Sequence, residues 1–485
     1  MKKLILFLCF FTTGLYAQDV PNLLFANKEQ CQDYGGDITT VTTAKDMFGN
    51  IYVVGTFSNK ADFNPSAVTA DLTAIGSSDM FLARYDGNGI YIGAINIGGT
   101  GTVTPTAITI DQDFVYVAGN YTKTIDFDPS SNVANLTSTN DLGSGFLAIY
   151  NLEGTLLEYK SLGGTGTIQM AEMKTYNNQL LIVGNFTGAI NFDPSSSAFD
   201  LAATASGDSF IAKYNSLLTG IAVFGITSTA NVIASTLSVD NAGSIVISGT
   251  YSGTTDFDPF STSNLTVATN RNTFIAKYSN VGVLQWVKDI GGRQATSSSS
   301  VPKLVQDSNN NILITGVYSL TSDFNPAAAI VNLTTTGSNI FLAKYDVDGN
   351  YIWVKKIGNS PTVLKRNIAI DTSNNVYIDG TFSGITDFDP NAGVVNLDST
   401  SGNFFFAKYD TNGNFGYANN IVATINTLLI NNNELVLSGT FTGTLDFDPS
   451  SATANLISPA VNAFLSKYNA SGSYVYAKQI GNKKS

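Results

Sequence analysis

The chain of 485 residues contains no histidine, two cysteines and two tryptophans. The absence of histidine excludes Ser-His-Asp and Cys-His catalysis, general base catalysis by imidazole and most zinc sites. Glutamate is also scarce, and the isolated glutamates are predicted to be surface charges: Glu153, Glu158, Glu172 and Glu434. We therefore expect a protein without catalytic activity.

Basic residues are outnumbered, with 25 Lys and Arg against 37 Asp and Glu, and the net charge is −12. Such a surface repels a phosphate backbone and an anionic membrane. We expect no nucleic-acid partner, no membrane insertion and a monomeric protein whose ligand is a protein or a glycan.

The N-terminus has the pattern of a secretory signal peptide over residues 1–17. Lys2 and Lys3 precede an apolar run at residues 4–11, and residues 15–17 offer a cleavage site. The run is too short to span a bilayer as a stable anchor. Export through the inner membrane to the periplasm or the medium is predicted.

Cleavage removes Cys9 and leaves Cys31 alone in the mature chain, residues 18–485. A single cysteine forms no internal disulfide, so the exported protein must rely on its core. Only residues 482–485 follow the last predicted strand, and we expect no C-terminal anchoring domain.

Two motifs repeat seven times with a period of about 64 residues, and a repeat of this kind dictates the architecture. The first motif is Asp/Asn-Phe-Asp/Asn-Pro, whose prolines are Pro65, Pro129, Pro194, Pro259, Pro326, Pro390 and Pro449. The second is a short apolar strand that ends in Tyr85, Tyr150, Tyr214, Tyr278, Tyr345, Tyr409 or Tyr468. Residues 18–485 are therefore predicted to be one domain of seven repeats.

Each repeat is typical of four antiparallel strands joined by turns. In the sixth repeat the predicted strands are residues 366–371, 376–382, 405–409 and 415–421. Small sheets repeated in this way bury their faces by radial arrangement, so an all-β, seven-bladed β-propeller of four-stranded antiparallel blades is predicted. The phenylalanine of the first motif is expected to fill the core between neighbouring blades.

The repeat resembles the bacterial β-propeller repeat family known as SBBP. The resemblance lies in Asn375-Val-Tyr-Ile-Asp-Gly380, Phe341-Leu-Ala-Lys-Tyr345 and Ile290-Gly291-Gly292, and it extends over nearly all of residues 20–482. It implies a propeller fold and a location in the cell envelope. The period exceeds the roughly 40–45 residues of a compact blade, and we expect the surplus to lie in loops.

Residues 23–26 resemble a fourth strand that has no repeat of its own. The ring is predicted to close by mixing N- and C-terminal strands in one blade. A partial eighth blade is the alternative.

The acids of the first motif admit two interpretations. Paired Asp oxygens are ligands that Ca²⁺ uses, whereas an Asp ahead of a proline also forms a turn by accepting backbone N–H groups. The turn is favoured because Asn replaces Asp in three copies, so no cofactor is expected and calcium is the alternative. The candidate calcium ligands are Asp126, Asp128, Asp256, Asp258, Asp387, Asp389, Asp446 and Asp448.

The connections that carry these acids share one face with the links between repeats, and recognition is expected on this long-loop face. Its acidic pattern is broken by predicted loop residues that are candidates for the binding face: Arg271, Arg293, Lys365 and Arg366. The leading interpretation is a secreted binding or interaction module. A carbohydrate-binding or carbohydrate-active protein is the alternative, with sugar-stacking candidates Trp286, Trp353, Tyr417 and Tyr476.

If the motif acids form turns, thermal unfolding will be the same in EDTA and in millimolar calcium. A calcium-induced rise in melting temperature of about ten degrees would contradict this, because a ligand that binds only the native state stabilises it. Asp387→Asn with Asp389→Asn in one repeat then shows whether each site binds independently.

Overall fold

The computed structural model describes residues 36–138, 142–204, 207–291, 301–358 and 363–481. Within these ranges the chain is all-β apart from two three-residue 3₁₀ helices, Ser197–Phe199 and Ser399–Ser401. None of the helices in these ranges has the length and hydropathy needed to cross a membrane. The predicted signal peptide and residues 23–26 lie outside the described residues.

Seven units, each with a four-stranded antiparallel core in sequence order, make up the described chain. We call these strands first to fourth. They are Ile38–Lys45, Ile51–Phe57, Asp79–Tyr85 and Tyr91–Gly99 in unit 1; Val103–Ile110, Phe114–Tyr121, Ser144–Asn151 and Leu156–Gly164 in unit 2; Ile168–Tyr176, Gln179–Phe186, Asp208–Asn215 and Gly220–Ser228 in unit 3; Asn231–Val239, Ile245–Asp256, Asn264–Tyr278 and Leu284–Asp289 in unit 4; Lys303–Gln306, Ile312–Asp323, Asn332–Tyr345 and Tyr351–Ile357 in unit 5; Val363–Ile370, Val376–Phe382, Phe404–Tyr409 and Phe415–Ile421 in unit 6; and Thr424–Asn431, Glu434–Asp446, Asn455–Tyr468 and Tyr474–Ile480 in unit 7.

The surplus residues of each repeat form a second structure, here called the outer hairpin, between the second and third strands. In units 4, 5 and 7 the long second and third strands continue into it. In the other units it consists of separate short strands: Lys60–Asp62 with Asp71–Thr73, Thr124–Asp126 with Asn135–Thr137, Ala189–Asn191 with Asp200–Ala202, and Ile385–Asp387 with Asn396–Asp398. The expectation that the surplus lies only in loops was wrong.

The outer hairpin also joins neighbouring units. In unit 2 it pairs with the fourth strand of unit 1, with Gly98 opposite Asp126. The backbone N–H of Gly481, at the end of unit 7, donates to the carbonyl of Asp62 in unit 1 at 2.8 Å. The glycine links and the acidic motif therefore share one face, as the sequence predicts.

The two periodic motifs meet in the core. In every unit the tyrosine that ends the third strand donates its hydroxyl to the carbonyl oxygen of the outer-hairpin phenylalanine, at 2.8–3.1 Å. The phenylalanine rings are buried between sheets. Phe63 of unit 1, for example, shares one hydrophobic cluster with Val436, Leu465 and Ile480 of unit 7. The predicted role of this phenylalanine as an inter-sheet core residue is confirmed.

The first strands contact one another in sequence order, and the first strand of unit 7 contacts that of unit 1. Asn426 Nδ2 donates to the carbonyl of Thr40 at 2.6 Å, and Lys467 Nζ donates to that of Gly87 at 3.2 Å. These contacts give a repeat, β-propeller-like fold. Mixing of terminal strands stays a prediction, because it depends on residues 23–26.

Replacing Tyr345 by Phe removes the hydroxyl from the buried carbonyl of Phe324 without removing the ring. We expect a loss of about 1–3 kcal/mol in the free energy of unfolding, because that carbonyl is left without a donor. The measurement is urea unfolding of both proteins. Tyr476→Phe is the matched control, since the buried Tyr476 hydroxyl has no hydrogen-bond partner; equal losses in the two variants would contradict the assignment.

Candidate functional site

A cavity of about 400 Å³ is lined by residues of the first strands of all seven units. Most of these strands contain a β-bulge, which kinks the strand and redirects its side chains. At one equivalent strand position the seven units contribute Thr42, Ala107, Glu172, Thr236, Lys303, Asn367 and Thr427 to the lining. We call this space the central cavity.

Glu172 and Lys303 are the charged members of that set. Glu172 Oε1 lies 2.9 Å from Lys174 Nζ, and its Oε2 lies 3.6 Å from Lys303 Nζ. The backbone N–H of Leu237 donates to the same Oε2 at 3.2 Å, and Lys303 also donates to the carbonyl of Ser235 at 2.7 Å. The result is a charged cluster on one side of a cavity whose other polar groups are neutral.

Two opposing effects set the pKa of Glu172. Burial raises the pKa. The positive charges of Lys174 and Lys303, with hydrogen bonds from Lys174 and Thr236, lower it by more than burial raises it, so the pKa falls to about 2. The carboxylate is therefore charged at every physiological pH. The sequence-based interpretation of Glu172 as an isolated surface charge was wrong, because it pairs with two lysines at the cavity. An acid at a position that the other repeats fill with Thr, Ala, Asn or Lys was a usable signal.

Side-chain amides hold neighbouring first strands together around the cavity. Asn367 donates to the carbonyl of Asn426 at 3.1 Å, and Asn426 donates to that of Thr40 at 2.6 Å. Each bond crosses from one unit to the next. The wall is therefore pre-organised before any ligand arrives.

The acids of the first motif lie in the outer hairpins and not at the central cavity. Asp126 Oδ1 accepts the backbone N–H groups of Asp128 at 3.1 Å and Ala134 at 2.8 Å, and Asp256, Asp387 and Asp446 are bound in the same way. Hydrogen bonds from Ser130 hold the pKa of Asp128 below its usual value. These are the bonds of a turn-forming Asp, the interpretation that the sequence favoured, and calcium binding stays the untested alternative.

Three of the four basic candidates lie in strands, and this corrects their predicted placement in loops. Arg271 belongs to the third strand of unit 4, and Lys365 and Arg366 belong to the first strand of unit 6, where Lys365 pairs with Gly380. Arg293 lies outside the described residues. Unit 5 separates the two locations in sequence, and a shared binding role stays a prediction.

The four aromatic residues proposed to stack on sugars are half-buried and packed against turns. Trp286 and Trp353 lie over Gly349 and Gly413, and Tyr417 and Tyr476 lie over Gly472 and Gly89. Each ring covers the third–fourth strand turn of the following unit. Packing between units therefore accounts for these residues.

No protein-family model matches the chain. It is 26% identical to an uncharacterised WD repeat-containing protein of Acanthamoeba polyphaga mimivirus, over 83% of this chain and 35% of that protein. The chain thus spans about a third of the length of the curated relative that it matches. This relative and the repeated sheets place the chain among repeat, β-propeller-like proteins.

Solved structures resemble the chain weakly. A protein of unknown function from Bacteroides caccae gives a TM-score of 0.31 at 8% identity, covering 70% of this chain and 90% of its own. The leech intramolecular trans-sialidase gives 0.30 at 8% identity, covering 90% and 68%. Likenesses at these TM-scores support no inference about this chain.

Glu172→Gln is expected to lower the free energy of unfolding by about 1–3 kcal/mol at pH 7, because it leaves Lys174 and Lys303 without their counter-charge. The pKa of Glu172 is lowered by folding, so its contribution is present above the unfolded value of about 4.3 and is lost as the pH falls towards 2. Urea unfolding from pH 7 to pH 2.5 should show the difference between the two proteins shrinking in that window. Glu158→Gln is the control, and a gap that is independent of pH would contradict the ion cluster.

Proposed function

We propose that the chain is an exported, closed seven-bladed β-propeller of the SBBP type that acts as a binding module, with the central cavity as its ligand site. The observation that carries this proposal is the cavity lined by the first strands of all seven units, with one charged cluster on an otherwise neutral wall. Cavities of this size with polar groups at fixed positions are typical ligand sites. A polar ligand that enters the cavity meets Glu172, Lys174 and Lys303 on one side.

Binding without turnover fits the chemistry of the cavity. Among its described lining residues Glu172 is the only acid, whereas glycoside hydrolysis uses two carboxyl groups that flank the scissile bond. Glu172 is also held ionised by two lysines, which makes it a poor proton donor. The chain offers no histidine as a replacement.

The alternative is a carbohydrate-binding or carbohydrate-active protein. The four aromatic residues proposed to stack on sugars give this alternative little support, since each ring packs against a glycine in a turn of the following unit. The amides and hydroxyls of the cavity wall still suit a glycan ligand, because Asn and Thr side chains can both donate and accept hydrogen bonds. Glycan binding in the cavity is therefore a form of the proposed function, and glycan turnover is not.

The test is a printed glycan array and a thermal-shift screen of polar metabolites with the mature chain, followed by a reducing-sugar assay on every hit. Thr427→Trp places an indole in the cavity and is expected to abolish binding of a hit. Thr137→Trp, on an exposed outer hairpin, is the matched control and should leave binding unchanged.

Measurable turnover of any glycan would contradict the proposal. A hit whose affinity is the same in Thr427→Trp would place the ligand elsewhere on the protein.

A further inference from the structure

One contact recurs between consecutive units, and unit 1 lacks it. In units 4 to 7 the third residue of the fourth strand is aromatic, and its ring covers a turn glycine of the next unit. A Cβ added at Gly349 would lie 3.0 Å from the Trp286 ring, and one at Gly472 would lie 2.7 Å from the Tyr417 ring. The aromatic side chain therefore fills the gap between the two units.

Units 2 and 3 fill the same gap by other means. Between units 2 and 3 the turn itself supplies Leu218, which has a φ of 54° and is fully buried. Between units 3 and 4 the ring of Phe224 lies against Gly282, two positions further along the fourth strand. Large apolar side chains close the gap in both places.

In unit 1 the equivalent position is Gly93, and a Cβ built there would meet no atom within 4 Å. Ile95 reaches Gly154 of the next turn but does not fill the space. A cavity of about 190 Å³ remains, and its lining also includes Tyr52, Leu82, Arg84, Leu152 and the acid Glu153. We call it the unit 1 pocket.

The wall of this pocket carries one fixed cation. Arg84 Nη1 donates to the carbonyl of Leu152 at 3.0 Å, Nη2 lies 3.6 Å from Asp46 Oδ2, and the guanidinium lies 5.3 Å from the centre of the Tyr52 ring. Arginine stacks on aromatic faces, and such a contact is favourable when the cation is held in place. Five other units have lysine at this position: Lys213, Lys277, Lys344, Lys408 and Lys467.

We propose that the unit 1 pocket binds a planar aromatic ring of phenol or indole size, which occupies the space that Trp or Tyr fills in units 4 to 7. The apolar walls, Leu82 and Ile95, contact the ring, and Arg84 provides the cation. The volume is below the roughly 300–1,000 Å³ of sites for larger ligands, so one ring and not an extended molecule is bound. The proposal does not depend on the central cavity.

The probes are indole, p-cresol and N-acetyltryptophanamide, with cyclohexanol as the non-aromatic control. Binding to the full mature chain is measured by saturation-transfer NMR of the probe. We expect saturable binding of indole and p-cresol at one site, its loss in Gly93→Trp and its retention in Gly93→Ala. Arg84→Lys keeps the charge found in five sibling units and should weaken ring binding about two- to fivefold.

A converse variant keeps the test decisive if Gly93→Trp fails to fold. Trp353→Gly opens the same gap between units 5 and 6 and should add a second aromatic site. N-acetyltryptophanamide binding as well as indole would identify the natural source as a partner's side chain, whereas binding of indole and p-cresol alone would identify a free aromatic compound.

Cyclohexanol binding as tightly as p-cresol, or ring binding that is unchanged in a folded Gly93→Trp variant, would overturn the proposal. Loss of binding in Thr427→Trp but not in Gly93→Trp would assign the ring to the central cavity instead.

Discussion

The hydrogen bond from a buried tyrosine hydroxyl to the carbonyl of the outer-hairpin phenylalanine holds the two halves of every unit together. Both groups are shielded from water, so each would be strongly destabilising without the other. Burial raises the pKa of Tyr150, Tyr214 and Tyr278 well above the usual value, and the hydroxyl therefore remains a donor at any pH the protein meets. The outer hairpin has little core of its own, and this bond with the Phe ring fixes it between two sheets.

A second repeated contact joins consecutive units near the opposite ends of the strands. The cation before the closing tyrosine donates to a carbonyl in the next unit's third–fourth turn. Lys344, for example, reaches the carbonyl of Thr411 at 3.4 Å and also pairs with Asp307 at 2.9 Å. Lys467 makes the same contact from unit 7 to Gly87 of unit 1. The junction between the last and first units therefore uses the same side-chain chemistry as five of the other six junctions, the exception being that between units 2 and 3, where Ile149 takes the position of the cation.

The sequence was sufficient for much of this architecture because the period is carried by residues with a packing role. The second and fourth strands of unit 6, Val376–Phe382 and Phe415–Ile421, lie where their pattern predicts. The sequence did not predict the outer hairpin, because strands such as Thr124–Asp126 are only three residues long and pair with the preceding unit. So short a segment has no detectable alternation, and one of its two partner strands belongs to another unit.

The candidate sites were harder to predict because each is a departure from the repeat and not a motif. Glu172 is the only glutamate in its repeat, and nothing near it in sequence indicates that Lys303 lies 3.6 Å away. Gly93 is visible only as the absence of a side chain that sibling units possess. Sequence patterns show which residues recur. The contact between Glu172 and Lys303, which are 131 positions apart, can be recognised only when the register of the sheets is known.

These two departures share a thermodynamic feature, since each is less favourable for stability than the residue that most other units have at the same position. A charged cluster inside a cavity carries a desolvation penalty that the Thr or Ala of other units avoids. Glycine in a strand is less favourable than a larger residue, and at Gly93 it also forgoes the burial of an aromatic ring. A residue that lowers stability at a position where four other units bury an aromatic ring is characteristic of a functional position. The proposed ligand sites in units 1 and 3 would account for this loss of stability.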